Sequence, residues 1–173
     1  MTSPMPHPNE SALFGLLTAQ GISHETHEHP PIFTVEEGKD FKESLPGGHT
    51  KNLFLKDKAG QLVLVCALAD TSVRLNKLHK ALDTKRLSFG PEDALWECLG
   101  VRPGSVTLFS VLNDNEGKVR LVLDKALFGP KRVWFHPMRN TASTAIPSRD
   151  VLRFCEAANH RPTIIDFTDL AQN

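Results

Sequence analysis

The feature that most constrains this chain is a pair of apolar runs joined by a short polar turn. Leu53, Phe54 and Leu55 close the first run, residues 57–60 carry Asp and Gly turn chemistry, and residues 62–68 return as an uncharged stretch of Leu, Val, Cys and Ala. A return run with no polar position reads as a strand covered on both faces, and turn residues between two such runs read as a hairpin. The run is far shorter than the ~20 residues that cross a bilayer. A β-hairpin with a buried return strand is the expected centre of the fold.

Other elements follow from periodicity and punctuation. Ala12, Leu13, Leu16 and Leu17 have helical spacing between a cap at Asn9 or Ser11 and Gly21. Residues 22–29 alternate as a strand until Pro30 and Pro31 stop them, and Thr34 with Glu37 has the capping-box spacing of a short helix through about Phe41. Val73, Leu75, Leu78 and Leu82 predict a helix, and Pro91 and Gly100 frame another that carries Leu95, Trp96 and Leu99. Residues 105–112, 119–123 and 132–135 read as strands, with turn-forming residues 113–117 joining the first two. A helix over 148–157 and a strand over 163–167 close the chain. Strands and helices without regular βαβ alternation predict a mixed α+β domain (α/β in the broad sense) with a largely antiparallel sheet. With no linker or repeat, residues 1–173 are expected to form one domain, large enough to bury roughly 70% of its unfolded surface.

Composition narrows the partners. Lys and Arg total 20, as do Asp and Glu, so no overall basic field attracts nucleic acid, and such a partner needs a local patch. Between Arg74 and Arg86 the chain holds Arg74, Lys77, Lys80, Lys85 and Arg86 against Asp83 alone, which offers either that patch or a solvated helix face. Lys131, Arg132 and Arg139 form a second candidate. Residues 1–9 have no basic start or apolar core, which argues against a signal peptide. Cys66, Cys98 and Cys155 are odd in number and lack a C-x-x-C pair, so a reducing cytoplasm is the expected compartment.

The usual catalytic signatures are missing. Gly104-Ser105 lacks the second glycine of a nucleophile elbow, and no phosphate-cradling glycine fingerprint occurs. Cys66 in an apolar strand and Cys98 beside Trp96 read as small buried hydrophobes. His24, His27 and His29 invite a metal, but strand alternation puts His24 on the face opposite to the other two.

Three segments remain: 50–57 (Thr-Lys-Asn-Leu-Phe-Leu-Lys-Asp), 99–107 (Leu-Gly-Val-Arg-Pro-Gly-Ser-Val-Thr), and His136-Pro137-Met138-Arg139-Asn140 with Thr141 to Thr144 after it. In this order, and with the closing Asp150-Val151-Leu152-Arg153-Phe154, they resemble the editing-domain family associated with prolyl-tRNA synthetase. Its freestanding bacterial members, which deacylate Ala-tRNA(Pro), are the branch most similar. The resemblance runs from about Ser11 to Phe167.

The resemblance implies a barrel-like sheet surrounded by helices and hydrolysis of an aminoacyl ester without a metal, a cofactor or a covalent nucleophile. It implies that Lys51 anchors a phosphate near the terminal adenosine, with Asn52 beside it, and that the loop with Gly100, Val101, Pro103 and Gly104 positions ester and water. Ile32, Phe33 and Val35 match the pocket-lining stretch, and His136 shapes the pocket or bonds the substrate. Leu99 stands where relatives acting on Cys-tRNA(Pro) carry the first glycine of G-x-x-x-P, which fits the alanine-specific branch. The implied partner is the acceptor end of tRNA(Pro) carrying alanine, contacted through Arg74, Lys77 and Lys80. Prolyl-tRNA synthetase is a further candidate partner, and no membrane or DNA is implied. An aminoacyl ester is already activated, so amide donors, an oriented water and the ribose 2′-hydroxyl suffice to cleave it. A synthetase pocket for proline cannot strongly exclude alanine, since each missing methylene is worth only ~1–3 kcal/mol, and a second sieve restores accuracy. Three alternatives stay open: the same chemistry on Cys-tRNA(Pro), a non-catalytic tRNA-binding module, and a metal-dependent hydrolase built on the histidine strand.

Overall fold

A computed structural model describes residues 9–31 and 44–172. The chain runs α1 (Glu10–Ala19), β1 (Glu25–Glu28), β2 (Gly48–Asp57), β3 (Leu62–Leu68), α2 (Leu75–Leu82), β4 (Leu87–Phe89) and α3 (Glu92–Leu99). A 3-10 segment (Leu108–Asn113) leads to β5 (Val119–Asp124), and another (Lys125–Phe128) leads to β6 (Arg132–Phe135). The chain closes with β7 (Ala142–Pro147), α4 (Val151–Ala157), β8 (Thr163–Ile165) and α5 (Phe167–Gln172). The predicted helix over 34–41 lies outside the described residues.

The hairpin is present, with Thr50 opposite Leu68 and Lys56 opposite Leu62. Its turn is held by the Asp57 carboxylate, which accepts from the backbone N–H groups of Ala59 and Gln61 at 2.9 and 2.8 Å and from that of Lys85 at 3.0 Å. Residues 63–67 of β3 are fully buried. On one face Phe54, Leu64 and Cys66 pack with Leu13, Leu17, Leu99, Phe109, Phe135 and Phe154. On the other, Leu55, Val63 and Val65 meet Leu78 and Leu82 of α2, Leu87 and Phe167. Each fully buried side chain of this kind contributes about 1.5–3 kcal/mol through removal from water.

The strand order is β1-β7-β6-β2-β3-β5-β8, with β4 also on β2. Three pairings are parallel, β2–β6, β3–β5 and β5–β8, while β1–β7, β6–β7, β2–β3 and β2–β4 are antiparallel. This corrects two expectations: the sheet is mixed, and it is open from β1 to β8, so no barrel closes. Residues 105–112 are not a strand. Thr107 is extended, but its hydroxyl accepts from the Phe109 N–H and Ser110 donates to the Thr107 carbonyl, so local side-chain bonds turn the backbone into the 3-10 segment. Two strands escaped the pattern. The short β4 pairs through three residues, and β7 reads Ala-Ser-Thr-Ala-Ile-Pro with its first five positions buried, so it shows no polar alternation.

The face of α1 carries a charge inward. Leu13 and Leu17 are buried as predicted, and so is Glu10, whose carboxylate accepts from Arg139 Nε and Nη2 at 3.0–3.1 Å. Arg139 also donates to Glu28 of β1 and to the Thr141 hydroxyl, joining three elements. These bonds hold the Glu28 carboxyl below its ordinary value of 4.5. That stabilisation is present above pH about 4.5 and is lost as pH falls through the lowered folded value; it is small because Glu28 is 70% exposed. Breaking the buried half of the network is costlier. Arg139→Ala should lower stability by about 3–5 kcal/mol in urea unfolding by stranding Glu10, and Glu10→Gln by less.

Candidate functional site

The site grows from a gap along one edge of β2. The parallel partner β6 covers that edge only at Gly48 and His49, and β4 only from Leu55 to Asp57. Within the stretch that neither strand covers, the side-chain carbonyl of Asn52 accepts the backbone N–H of Leu108 at 3.1 Å. Thr50, on the same face, donates its hydroxyl to the Trp134 carbonyl at 2.6 Å. Asn52 thereby ties the strand to the 3-10 segment that follows the glycine-rich loop.

Gly100 ends α3 with φ 67°, and its N–H donates to the Trp96 carbonyl at 3.0 Å. It is a helix cap in the left-handed region that glycine enters freely. Its amide is therefore committed to the helix. The N–H groups of Val101 and Gly104 have no partner among the described residues. Gly104, at φ 91°, lies beside the turn after β6: a Cβ there would stand 3.6 Å from the Asn140 side-chain nitrogen. Pro103 is exposed at the crest of the loop.

Asn113 is a site-building residue that the sequence offered only as part of a turn. Its amide donates to the Leu99 carbonyl at 2.8 Å and points at the Met138 sulfur at 3.7 Å, and its carbonyl accepts from Asn9 at 2.6 Å. One side chain thus joins α1, the glycine-rich loop and the turn after β6. Met138, at φ 70°, gives that turn its sharpness. His136 donates from Nδ1 to the Ala142 carbonyl at 2.9 Å, so in the neutral ring Nε2 keeps its lone pair. Burial pushes the His136 pKa below the ordinary 6.5, against the opposing hydrogen bond to Ala142, and the nearby His29 adds to the depression.

Lys51 leaves the opposite face from Asn52, as successive strand residues must. Its ammonium donates to the Thr71 carbonyl. The Thr71 hydroxyl donates to Asp124 at 2.5 Å, and the same carboxylate accepts from the N–H groups of Leu68 and Ala126. Asp124 is 1% exposed and clamps the loop against which Lys51 rests. Arg74 and Lys80 are exposed and Lys77 is half-buried around α2, on the same side of the sheet as Lys51. Ile32, Phe33 and Val35 lie outside the described residues. The second basic candidate dissolves: Arg139 is held by two carboxylates, and Arg132 pairs with Glu25 at 2.6 Å while covering the Trp134 ring. Lys131 alone of the three has no ion pair among the described residues.

The cysteines and the histidine strand offer neither a ready nucleophile nor a metal cluster among the described residues. Burial pushes the thiol of Cys155 up to about 12 and those of Cys66 and Cys98 upward, which suppresses the nucleophilic thiolate. His24 stacks on Phe14, His27 meets Glu25 and the edge of Trp134, and His29 bonds Ser143. No group of three or more metal-ligating side chains comes together among the described residues.

Two outcomes follow from this geometry. In an NMR titration His136 should lose its proton with a midpoint below 6.5, so that the fold keeps this contribution above pH about 6.5 and loses it as pH falls through the lowered value. Asp124→Ala should strand a hydroxyl and two amides and lower Tm by roughly 5–15 °C, read by thermal unfolding, whereas exposed Lys125→Ala should leave it nearly unchanged.

Comparisons with known proteins agree with this arrangement. Residues 29–154 match the family model of the aminoacyl-tRNA editing domain. The chain is 41% identical over 156 residues to mouse (Mus musculus) prolyl-tRNA synthetase associated domain-containing protein 1, covering 87% of this chain and 92% of that protein. It is 34% identical over 149 residues to the prolyl-tRNA editing protein ProX of Acetoanaerobium sticklandii, covering 86% and 91%. A solved structure, hypothetical protein APE2540, shares the fold with a TM-score of 0.70 at 19% identity, covering 89% of this chain and 97% of that one. Vertebrate and bacterial proteins both appear among the relatives, so the match establishes the family and not a bacterial branch of it. With its three motifs gathered around the open edge of β2, the chain belongs to the aminoacyl-tRNA editing domain family.

Proposed function

We propose that this protein is a cytoplasmic trans-editing hydrolase that removes alanine from mischarged tRNA(Pro). The observation that carries the reading is the junction at Asn52: one carboxamide binds the Lys51-bearing strand to the segment that follows a loop with two amide donors that have no partner among the described residues. Family membership supports it independently.

In this reading Lys51 exchanges the Thr71 carbonyl for a phosphate of the acceptor end, a charge-assisted contact stronger than the one it leaves. The Val101 and Gly104 amides replace Gly100 as donors to the oxyanion that forms when water adds to the ester carbonyl. Gly100 keeps a structural part in the same step, setting the loop's exit from α3. The proton of the attacking water passes by way of the ribose 2′-hydroxyl to the departing 3′-oxygen, the acyl C–O bond breaks, and alanine leaves a free 3′-hydroxyl. A neutral His136 offers Nε2 as an acceptor to the substrate's α-ammonium group, which is why it is not assigned as the base. Ile32, Phe33, Val35 and Pro103 are assigned to the wall that admits alanine and excludes the proline ring. Arg74, Lys77 and Lys80 take acceptor-stem phosphates. All of this belongs to a single catalytic domain spanning residues 1–173, and a docked prolyl-tRNA synthetase would hand over the mischarged product.

Single-turnover deacylation of Ala-tRNA(Pro), Cys-tRNA(Pro) and Pro-tRNA(Pro) with chelator present tests the reading. Alanine should be released fastest and proline not at all, and Lys51→Ala should slow release about 10- to 100-fold. Preferential release of cysteine would reassign the cargo, and RNA binding without hydrolysis would reduce the protein to a binding module. Ile32→Ala or Val35→Ala should broaden the range of amino acids removed, measured on the same panel.

A further inference from the structure

The aromatic ring of Phe89 stands open to solvent. It is 69% exposed, the most open of the large hydrophobic side chains in the described residues, although it sits in a strand of the sheet. In antiparallel register it pairs with Leu55, so both side chains leave the same face. That face is the one bearing Lys51, Leu53 and α2. Four residue steps along β2 separate Lys51 from Leu55, about 13 Å at 3.3 Å per step. A half-buried Leu53 lies between them.

The surroundings are cationic. From residue 70 to residue 89 the chain carries Arg74, Lys77, Lys80, Lys85 and Arg86 against Asp70 and Asp83. Of these, Arg74, Lys80, Lys85 and Arg86 are exposed. An open aromatic ring in a basic field, aligned along a strand with a phosphate-anchoring lysine, is the arrangement that holds single-stranded nucleic acid: the ring stacks a base and the cations follow the backbone. The exposed Trp96 differs in each respect. Arg102 already covers one of its faces at 4.0 Å, and its helix presents Glu92, Asp93 and Glu97.

We propose that Phe89 is a stacking platform for an unpaired base of the RNA acceptor end, upstream of the nucleotide whose phosphate Lys51 holds. This rests on the function proposed above. It makes recognition depend on the strand being unpaired at that point, which a purely electrostatic surface would not require.

The probes are an RNA minihelix with an unpaired 3′ end and the same duplex ending blunt, with affinities measured at one fixed salt concentration. Phe89→Ala should weaken binding of the unpaired-end RNA about 5- to 100-fold and leave the blunt duplex unchanged. Phe89→Trp should restore binding, and Phe89→Leu, apolar but without a π face, should not. Thermal unfolding and sedimentation of each variant accompany the measurement. If Phe89→Ala binds the unpaired end as wild type does while the wild type still cleaves Ala-tRNA(Pro), this inference falls and the proposed function stands. Equal loss on both RNAs, or a variant that changes oligomeric state or Tm, would make Phe89 a structural or self-association residue and likewise overturn it.

Discussion

The structure hangs on the incomplete pairing of β2. A ten-residue strand at the middle of a sheet must satisfy backbone groups along both edges. One edge is paired with β3 continuously from Thr50 to Lys56, while β6 and β4 reach only the two ends of the other. Along the uncovered stretch the Asn52 side chain, leaving one face of the strand, accepts the backbone N–H of Leu108 and ties β2 to the 3-10 segment. Asn52 lies at this interruption, and Lys51 leaves the reverse face of the same strand.

Buried polar groups hold the parts in register around it. Asp124 gathers the β3–α2 loop, Arg139 pins α1 and β1 to the turn after β6, and Asn113 joins that turn to the glycine-rich loop. A fourth clamp closes the far end of the chain: His160 meets the Asp114 carboxylate through Nε2 at 2.9 Å and the Ala158 carbonyl through Nδ1 at 2.8 Å. These contacts specify geometry more than they add net stability, because each charge loses its hydration on burial.

The two faces of β2 also divide the labour. Asn52 and the loop amides belong to the face of the larger core, and Lys51, α2 and Phe89 to the other.

The sequence by itself determined the hairpin, the double burial of its return strand, the framing of α3 by Pro91 and Gly100, and the family, through three motifs in order. These are local or additive signals: a turn needs Gly and Asp, a covered strand needs an unbroken apolar run, and a helix end needs a residue that tolerates positive φ. Tertiary structure alone decided the mixed, open sheet, because parallel pairing of β3 with β5 and of β2 with β6 depends on partners far apart in the chain. It also committed the Gly100 amide to a helix end and paired Arg132 and Arg139 with carboxylates. It turned Asn113 from a turn former into a junction and left the Phe89 ring open beside cations. A residue's type states which bonds it can make, and only the three-dimensional neighbourhood states which of them are already taken.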